Sequence, residues 1–232
     1  FRTFMDELFT KNANIDSVPL TVAKVMYGNQ CKQIQRAWDD MRDFTREHVR
    51  HHKATFDPSN LRDFLDVYIN KNELDEEVLW ETGAVYIPDG TDTLGIAILW
   101  ALLFIANDTE IQTRIQDEID DVTGCSARKV TFSDKANIPF TEATILESFR
   151  RSSAVTTSLF HKPRASTTLD GYNIPENALV IANIYAAHVD ETMWKDPFKF
   201  RPERFLDSSG KVARAGDISP FGVGMFTGTF IN

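Results

Sequence analysis

The sequence predicts a mainly α-helical protein with a small antiparallel β portion, built around one long central helix. Three observations carry this reading. Residues 81–107 begin polar and turn continuously apolar over 94–106. Amphipathic stripes of helical period flank that stretch on both sides. Beyond Thr156 the period shortens to two, around the hairpin turn Asp170-Gly171. The apolar run is too short to span a bilayer and too continuous for a surface helix. A helix apolar all round has to be wrapped by protein, so it is expected at the centre of a core. Its middle carries Pro88-Asp89-Gly90-Thr91-Asp92-Thr93, where proline and glycine weaken the backbone ladder beside carboxylates and hydroxyls. Two readings fit: a Pro-kinked core helix in which Asp92 and Thr93 bond freed backbone groups, or a ligand site.

Taken in order, Phe4, Leu8 and Phe9 suggest a short helix and residues 12–19 a loop. Over about 30–52, Ile34, Trp38, Met41, Thr45 and Val49 form one narrow helical stripe. Its end carries His48 and His52, one turn apart as metal ligands can be, but with no third ligand nearby in sequence. A solvated basic helix end is the simpler reading. Asp57-Pro58-Ser59-Asn60 reads as a turn, and 63–69 as another short helix. After the central helix Asp108 is a candidate N-cap. Ile111, Ile115, Ile119 and Val122 then make an amphipathic stripe that Gly124 ends. Residues 132–139 connect to a helix over 140–152, where Glu147 and Arg150 stand on one face. Residues 158–169 and 178–184 read as strands, with Pro175 at an edge. The aromatic and proline-rich stretch containing Trp194, Pro197, Phe198, Phe200, Pro202 and Phe205 reads as packed coil. Residues 218–224 form a glycine-bearing loop.

Composition narrows the function. A formal charge of −9 without a Lys/Arg block argues against nucleic-acid binding. Two cysteines, Cys31 and Cys125, are too few for a disulfide scaffold and suit a reducing compartment. No signal peptide or membrane span is visible. The chain opens at Phe1 in mid-pattern, so its natural N-terminus is expected to lie elsewhere.

Three separated features, in this order and with the hairpin between them, resemble the cytochrome P-450 (haem-thiolate monooxygenase) superfamily, the animal microsomal branch most closely. They are Asp89-Gly90-Thr91-Asp92-Thr93, the pair Glu147/Arg150, and Pro202-Glu203-Arg204-Phe205 leading to Phe221-Gly222-Val223-Gly224. The resemblance implies one partial haem-thiolate domain over 1–232, with a helical part to about 152 and a hairpin and meander part from about 153. It implies that Asp92 and Thr93 relay protons at the haem face, that Gly90 lets the oxygen ligand near the backbone, and that His161 contacts a haem propionate. Phe221 and Gly224 would belong to the haem-binding loop. Glu147 and Arg150, with Arg204 as third member, would form a buried structural ion cluster fixing the meander. Haem, an electron-donor reductase, a small apolar substrate and the cytoplasmic face of the endoplasmic reticulum membrane follow for a full-length member.

The sequence departs from the family pattern where the iron ligand should be. The terminal signature Phe-x-x-Gly-x-Arg-x-Cys-x-Gly, laid on Phe221 and Gly224, puts Phe226 at the arginine and Gly228 at the cysteine. Asp89 replaces a small apolar residue and Leu94 a second hydroxyl. The membrane anchor, the early haem-contacting helices and the helix after the cysteine are expected to be absent, as from a truncated or misread gene end. This polypeptide is therefore expected to be inactive as a monooxygenase and either soluble or aggregating. The competing reading is a non-catalytic remnant or helical binding module; a metal-dependent hydrolase using His48 and His52 is a third.

Overall fold

The computed structural model describes residues 28–71, 75–124 and 128–220, the side chains at 30, 88, 89 and 92 excepted. The short helix expected around Phe4 and the loop over 12–19 lie outside these residues, as does everything from Phe221. The chain divides into two compact units, Phe1–Asp92 and Thr93–Asn232.

In the first unit, helix α1 (Gly28–Ala54) carries the stripe the sequence shows: Met41, Thr45 and Val49 are buried, while Ile34 and Trp38 are half-buried. Helix α2 (Phe64–Lys71) and the start of helix α3 (Glu76–Ala106) close on it. Val49, Leu65, Leu79 and Trp80 make the core, with Tyr68 and Ile69 packed at its edge. At Gly83 the two helices come so close that any Cβ would collide with the Thr45 methyl, so only glycine fits. The turn before α2 is held by Asp57, whose Oδ1 accepts from the Ser59 N–H and hydroxyl at 2.9 and 2.7 Å.

Helix α3 starts earlier than the sequence suggests and continues through Pro88 without interruption. In the second unit its apolar half contradicts the expected wrapping. Leu94, Leu99 and Leu102 are 58%, 67% and 57% exposed, and Ile98 and Leu103 about as much. Hydropathy sets the demand for a partner surface but cannot supply one. Among the described residues of this unit, Phe104 finds a stacked partner in Phe200 at 4.5 Å, with Trp100 behind it at 5.6 Å.

Helix α4 (Thr109–Thr123) turns away from α3 by 108°. Asp108 caps it, accepting from the Glu110 and Ile111 N–H groups at 3.1 Å, and Gly124 closes it in the left-handed region at φ 67°. A 3₁₀ segment (Phe132–Asn137) leads to helix α5 (Pro139–Ser152). The residue before α5, Ile138, has no side chain able to cap it. Glu118 of α4 does this instead, accepting from the Phe140 and Thr141 N–H groups at 2.8 and 2.7 Å. Helix α5 is the hub of the unit, packing on α4, on a 3₁₀ turn (Pro202–Phe205) and on the short helix α6 (Ile184–Val189). Ala143, Trp194, Phe205 and Ile218 form the second core, bordered by Leu146, Phe149 and Leu206. The aromatic coil is thus packed as expected, although Phe198 is 57% exposed.

The β portion is smaller than the sequence predicts. Strands β1 (Thr167–Leu169) and β2 (Tyr172–Ile174) form a two-stranded antiparallel hairpin, with Leu169 opposite Tyr172. Asp170 and Gly171 both have positive φ, 48° and 80°, which suits a two-residue turn between twisted strands. Of the longer strands expected over 158–169 and 178–184 only Thr167–Leu169 forms as a strand; elsewhere isolated pairs remain, Thr157 with Asn183 and His161 with Val180. Pro163 and Pro175 have no N–H to give to a ladder. Ile184 does not end a strand; it opens α6, because Asn183 caps that helix by accepting from the Ala186 N–H at 3.0 Å. Among the described residues no single helix is long and apolar enough to cross a membrane.

Candidate functional site

Glu147 and Arg150 lie one turn apart on α5, and both side chains are completely buried. The Arg150 Nε and Nη2 donate to the two carboxylate oxygens of Glu147 at 2.7 and 2.8 Å, a bidentate pair. The remaining donors of Arg150 reach the carbonyls of His188 and Pro197 at 2.6 and 2.8 Å. Arg204 brings its Nε to 3.3 Å from Glu147 Oε1, which also accepts the Arg201 N–H at 2.9 Å. The rest of the Arg204 guanidinium serves the carbonyls of Asp196 and Lys199 at 2.6 and 3.2 Å, and that of Lys195. One carboxylate and two guanidinium groups thus pin residues 195–204 to α5. Among the described residues no buried side-chain polar atom lacks a partner. The Trp194 ring sits between Arg150 and Arg214, 5.2 and 4.8 Å from its centroid.

Next to this cluster His188 is buried at the end of α6. Burial, and secondarily the Arg150 charge, push its imidazole down to about 4, so it is neutral near pH 7. Its Nε2 accepts the Ser219 N–H at 3.2 Å, and its Nδ1 faces the Ser153 hydroxyl at 3.1 Å.

Beside the C-terminal end of α5 lies a small apolar cleft. Thr93, Ile96 and Ala97 of α3 line it together with Phe149, Ser153, Val155 and Pro220. Thr93 therefore lies where a ligand would meet α3. Gly90 is exposed, with open space where a Cβ would be, and the Asp92 side chain lies outside the described residues. His161 is exposed on the bridge to Val180, its Nδ1 2.7 Å from the Leu159 carbonyl. Phe221, Gly224 and Gly228 lie outside the described residues. The structure thus brings Glu147, Arg150 and Arg204 together, puts Thr93 in a cleft, and leaves His161 apart in the bridge.

The two histidines at the end of α1 do not form a pair. His48 Nδ1 bonds the Phe44 carbonyl at 2.9 Å, whereas His52 finds Asp66 at 2.9 Å and Asp63 at 3.5 Å. The expectation of no further ligand near His52 is therefore overturned: Asp66 of α2 and Asp63 just before it supply carboxylates across the turn. Arg62 nevertheless occupies both oxygens of Asp66, at 2.6 and 2.8 Å, and holds that carboxyl well below the usual range. A guanidinium in that position repels a cation, so the group acts as an ion-paired clasp between α1 and α2.

A long helix bordering an apolar cleft, with a buried Glu–Arg–Arg cluster tying a coil to a neighbouring helix, is the framework that haem-thiolate proteins share. The family model for cytochrome P450 matches residues 1–225, and the chain belongs to that family. Cytochrome P450 2U1 of Mus musculus is 34% identical over 206 residues, covering 84% of this chain and 38% of its own length. Cytochrome P450 18a1 of Drosophila melanogaster is 33% identical over 234 residues, covering 94% and 43%. Cytochrome P450 1A1 of Oryctolagus cuniculus is 36% identical over 185 residues, covering 74% and 35%. The chain spans about two-fifths of the length of these curated relatives.

Haem is the cofactor this family implies, and the residues present meet it only in part. Ile96, Ala97, Phe149 and Val155 suit one face of a flat apolar ring. The one cysteine among the described residues, Cys31, belongs to α1 in the other unit, and the cleft lining holds no thiol. The residues do not fit a thiolate-bound haem iron. Sequence reading missed His188, Ser153 and Ser219. The available signal was a histidine inside the apolar run 184–189, where an unpaired imidazole would be costly.

Proposed function

We propose that this chain carries the central-helix and meander part of a haem-dependent monooxygenase domain, and that as written it does not perform thiolate-type monooxygenation. The buried Glu147–Arg150–Arg204 cluster supports the family-level half of this reading, because a bidentate pair with two backbone carbonyl partners is specific for holding that coil. Gly228 at the cysteine position supports the other half.

When bound to a family member, haem supplies the activation of dioxygen. This chain would contribute binding and proton handling. Thr93, which lines the cleft, and Asp92 would form the carboxylate–hydroxyl pair that the family resemblance implies, a pair able to pass protons through water. Gly90 would leave room above the helix backbone, His161 would meet a propionate, and Phe221 and Gly224 would shape the loop under the ring. In a full-length form, a reductase would deliver electrons, the substrate would be a small apolar molecule, and the location would be the cytoplasmic face of the endoplasmic reticulum. Residues 1–232 would then be part of a single domain.

The second reading is a non-catalytic remnant that binds an apolar partner, favoured by the open leucine face of α3. Titrating the purified chain with haem, then reducing it under carbon monoxide, separates the two. No specific binding, or a histidine-type spectrum, is expected for this polypeptide. A thiolate-type Soret band would overturn the inactivity.

A further inference from the structure

Arg150, His188 and Ser153 form one directed hydrogen-bond chain. A backbone N–H can only donate, so the Ser219 N–H at 3.2 Å makes His188 Nε2 the acceptor. The single proton of a neutral imidazole then sits on Nδ1, which donates to Ser153 Oγ at 3.1 Å. The Ser153 hydroxyl in turn donates to the Arg150 carbonyl at 3.0 Å. Arg150 Nη1 meanwhile holds the His188 carbonyl at 2.6 Å, fixing the ring's own backbone. Ser153 is buried and takes a left-handed φ of 39°, unusual for serine, so its hydroxyl helps set how the chain leaves α5. At the other end, Ser219 immediately precedes Pro220 and the glycine-bearing loop. Ser153 and Pro220 both line the cleft.

We propose that His188 is a positioning residue: its Nδ1–H tautomer joins the C-terminal end of α5 to Ser219 and so holds the Ser153–Pro220 lining of the cleft in place. The proposal rests on reading the cleft as the ligand-facing surface. It assigns this imidazole no contact with any ligand; it acts through Ser219 and Ser153. Neutrality is part of the device, because a proton on Nε2 would face the Ser219 N–H donor to donor.

Two substitutions separate positioning from mere packing. In His188→Gln the side-chain oxygen can replace Nε2 as acceptor, whereas His188→Asn is too short to reach Ser219 but can still face Ser153. Nitrogen-15 NMR of the whole chain is expected to show His188 protonated at Nδ1 and bare at Nε2. Hydrogen exchange at the Ser219 amide is expected to speed up roughly tenfold in His188→Asn and to stay within about twofold of wild type in His188→Gln, the size expected for one buried hydrogen bond. A purely structural role would instead change exchange throughout α5 to the same extent in both variants. An Nε2–H tautomer, or equal Ser219 exchange in the two variants, would overturn the proposal. Haem titration of the same proteins reports on the cleft separately. Loss of Ser219 protection in His188→Asn alone supports the positioning role whatever the haem titration gives; haem binding by the wild type that His188→Asn weakens and His188→Gln keeps would show in addition that this lining faces a ligand.

Discussion

The apolar half of helix α3 and helix α5, both in the second unit, invert what their side chains would suggest in isolation. The apolar half of α3 leaves Leu94, Leu99 and Leu102 more than half exposed, while α5 completely buries Glu147 and Arg150. Burial here follows the supply of partners and not hydropathy. For α5 the carbonyls of His188 and Pro197 accept from Arg150, while the Arg201 N–H and the Arg204 guanidinium donate to Glu147. Among the described residues the apolar half of α3 meets Phe200 through Phe104. Buried charge is tolerable when each hydrogen-bonding site is taken, and apolar surface stays open when nothing reaches it.

The largest break in this contrast should come from Glu147→Gln, which keeps the shape but leaves two buried guanidinium groups without a counter-charge. Loss of one partner of a buried ion pair costs about 3–5 kcal/mol. Urea melts followed by near-ultraviolet circular dichroism, sensitive to Trp194 packed on Phe205, should show the second unit unfolding much earlier. A midpoint unchanged from wild type would remove the cluster from the energetics of the fold.

The next effect is acid sensitivity at His188. Its imidazole titrates at about 4 in the fold against 6.5 ordinarily. Between those values the unfolded chain takes up a proton that the native chain refuses. The contribution is therefore whole above about 6.5 and is lost as pH falls toward 4, amounting to about 3 kcal/mol. Urea midpoints at pH 7 and pH 4.5 should fall further for wild type than for His188→Gln, in which the carboxylates titrate as before. Equal losses would place the acid sensitivity elsewhere.

Asp108→Ala removes the cap at the start of α4, beside the open half of α3. It should cost about 1 kcal/mol and shift the thermal midpoint by a few degrees. A Ser replacement should recover most of that. The smallest stability change is expected on the exposed side of the contrast. Leu99→Lys should alter stability by no more than about 0.5 kcal/mol. Its effect should instead appear as reduced self-association in sedimentation velocity, since it breaks an open apolar face. A large loss of stability in this variant would mean that Leu99 is covered in solution.

The sequence alone determined the local structure: the Asp108 cap, the Gly124 stop, the stripe Met41–Thr45–Val49 and the Asp170-Gly171 turn. Each depends on residues within a few positions of one another, so spacing is enough to read them. It also set Glu147 and Arg150 on one helical face. The tertiary structure decided what those residues are worth. Whether Glu147 and Arg150 are a weak surface pair or a buried cluster depends on carbonyls some fifty residues away, a separation that periodicity cannot see. The same holds for Glu118 capping α5, for the close approach of Thr45 to Gly83, and for the imidazole of His188 between Ser153 and Ser219. The exposure of α3 is the opposite case, in which an unmistakable apolar pattern states a need that the described partners leave unmet, because hydropathy is a property of one segment and burial is a property of two.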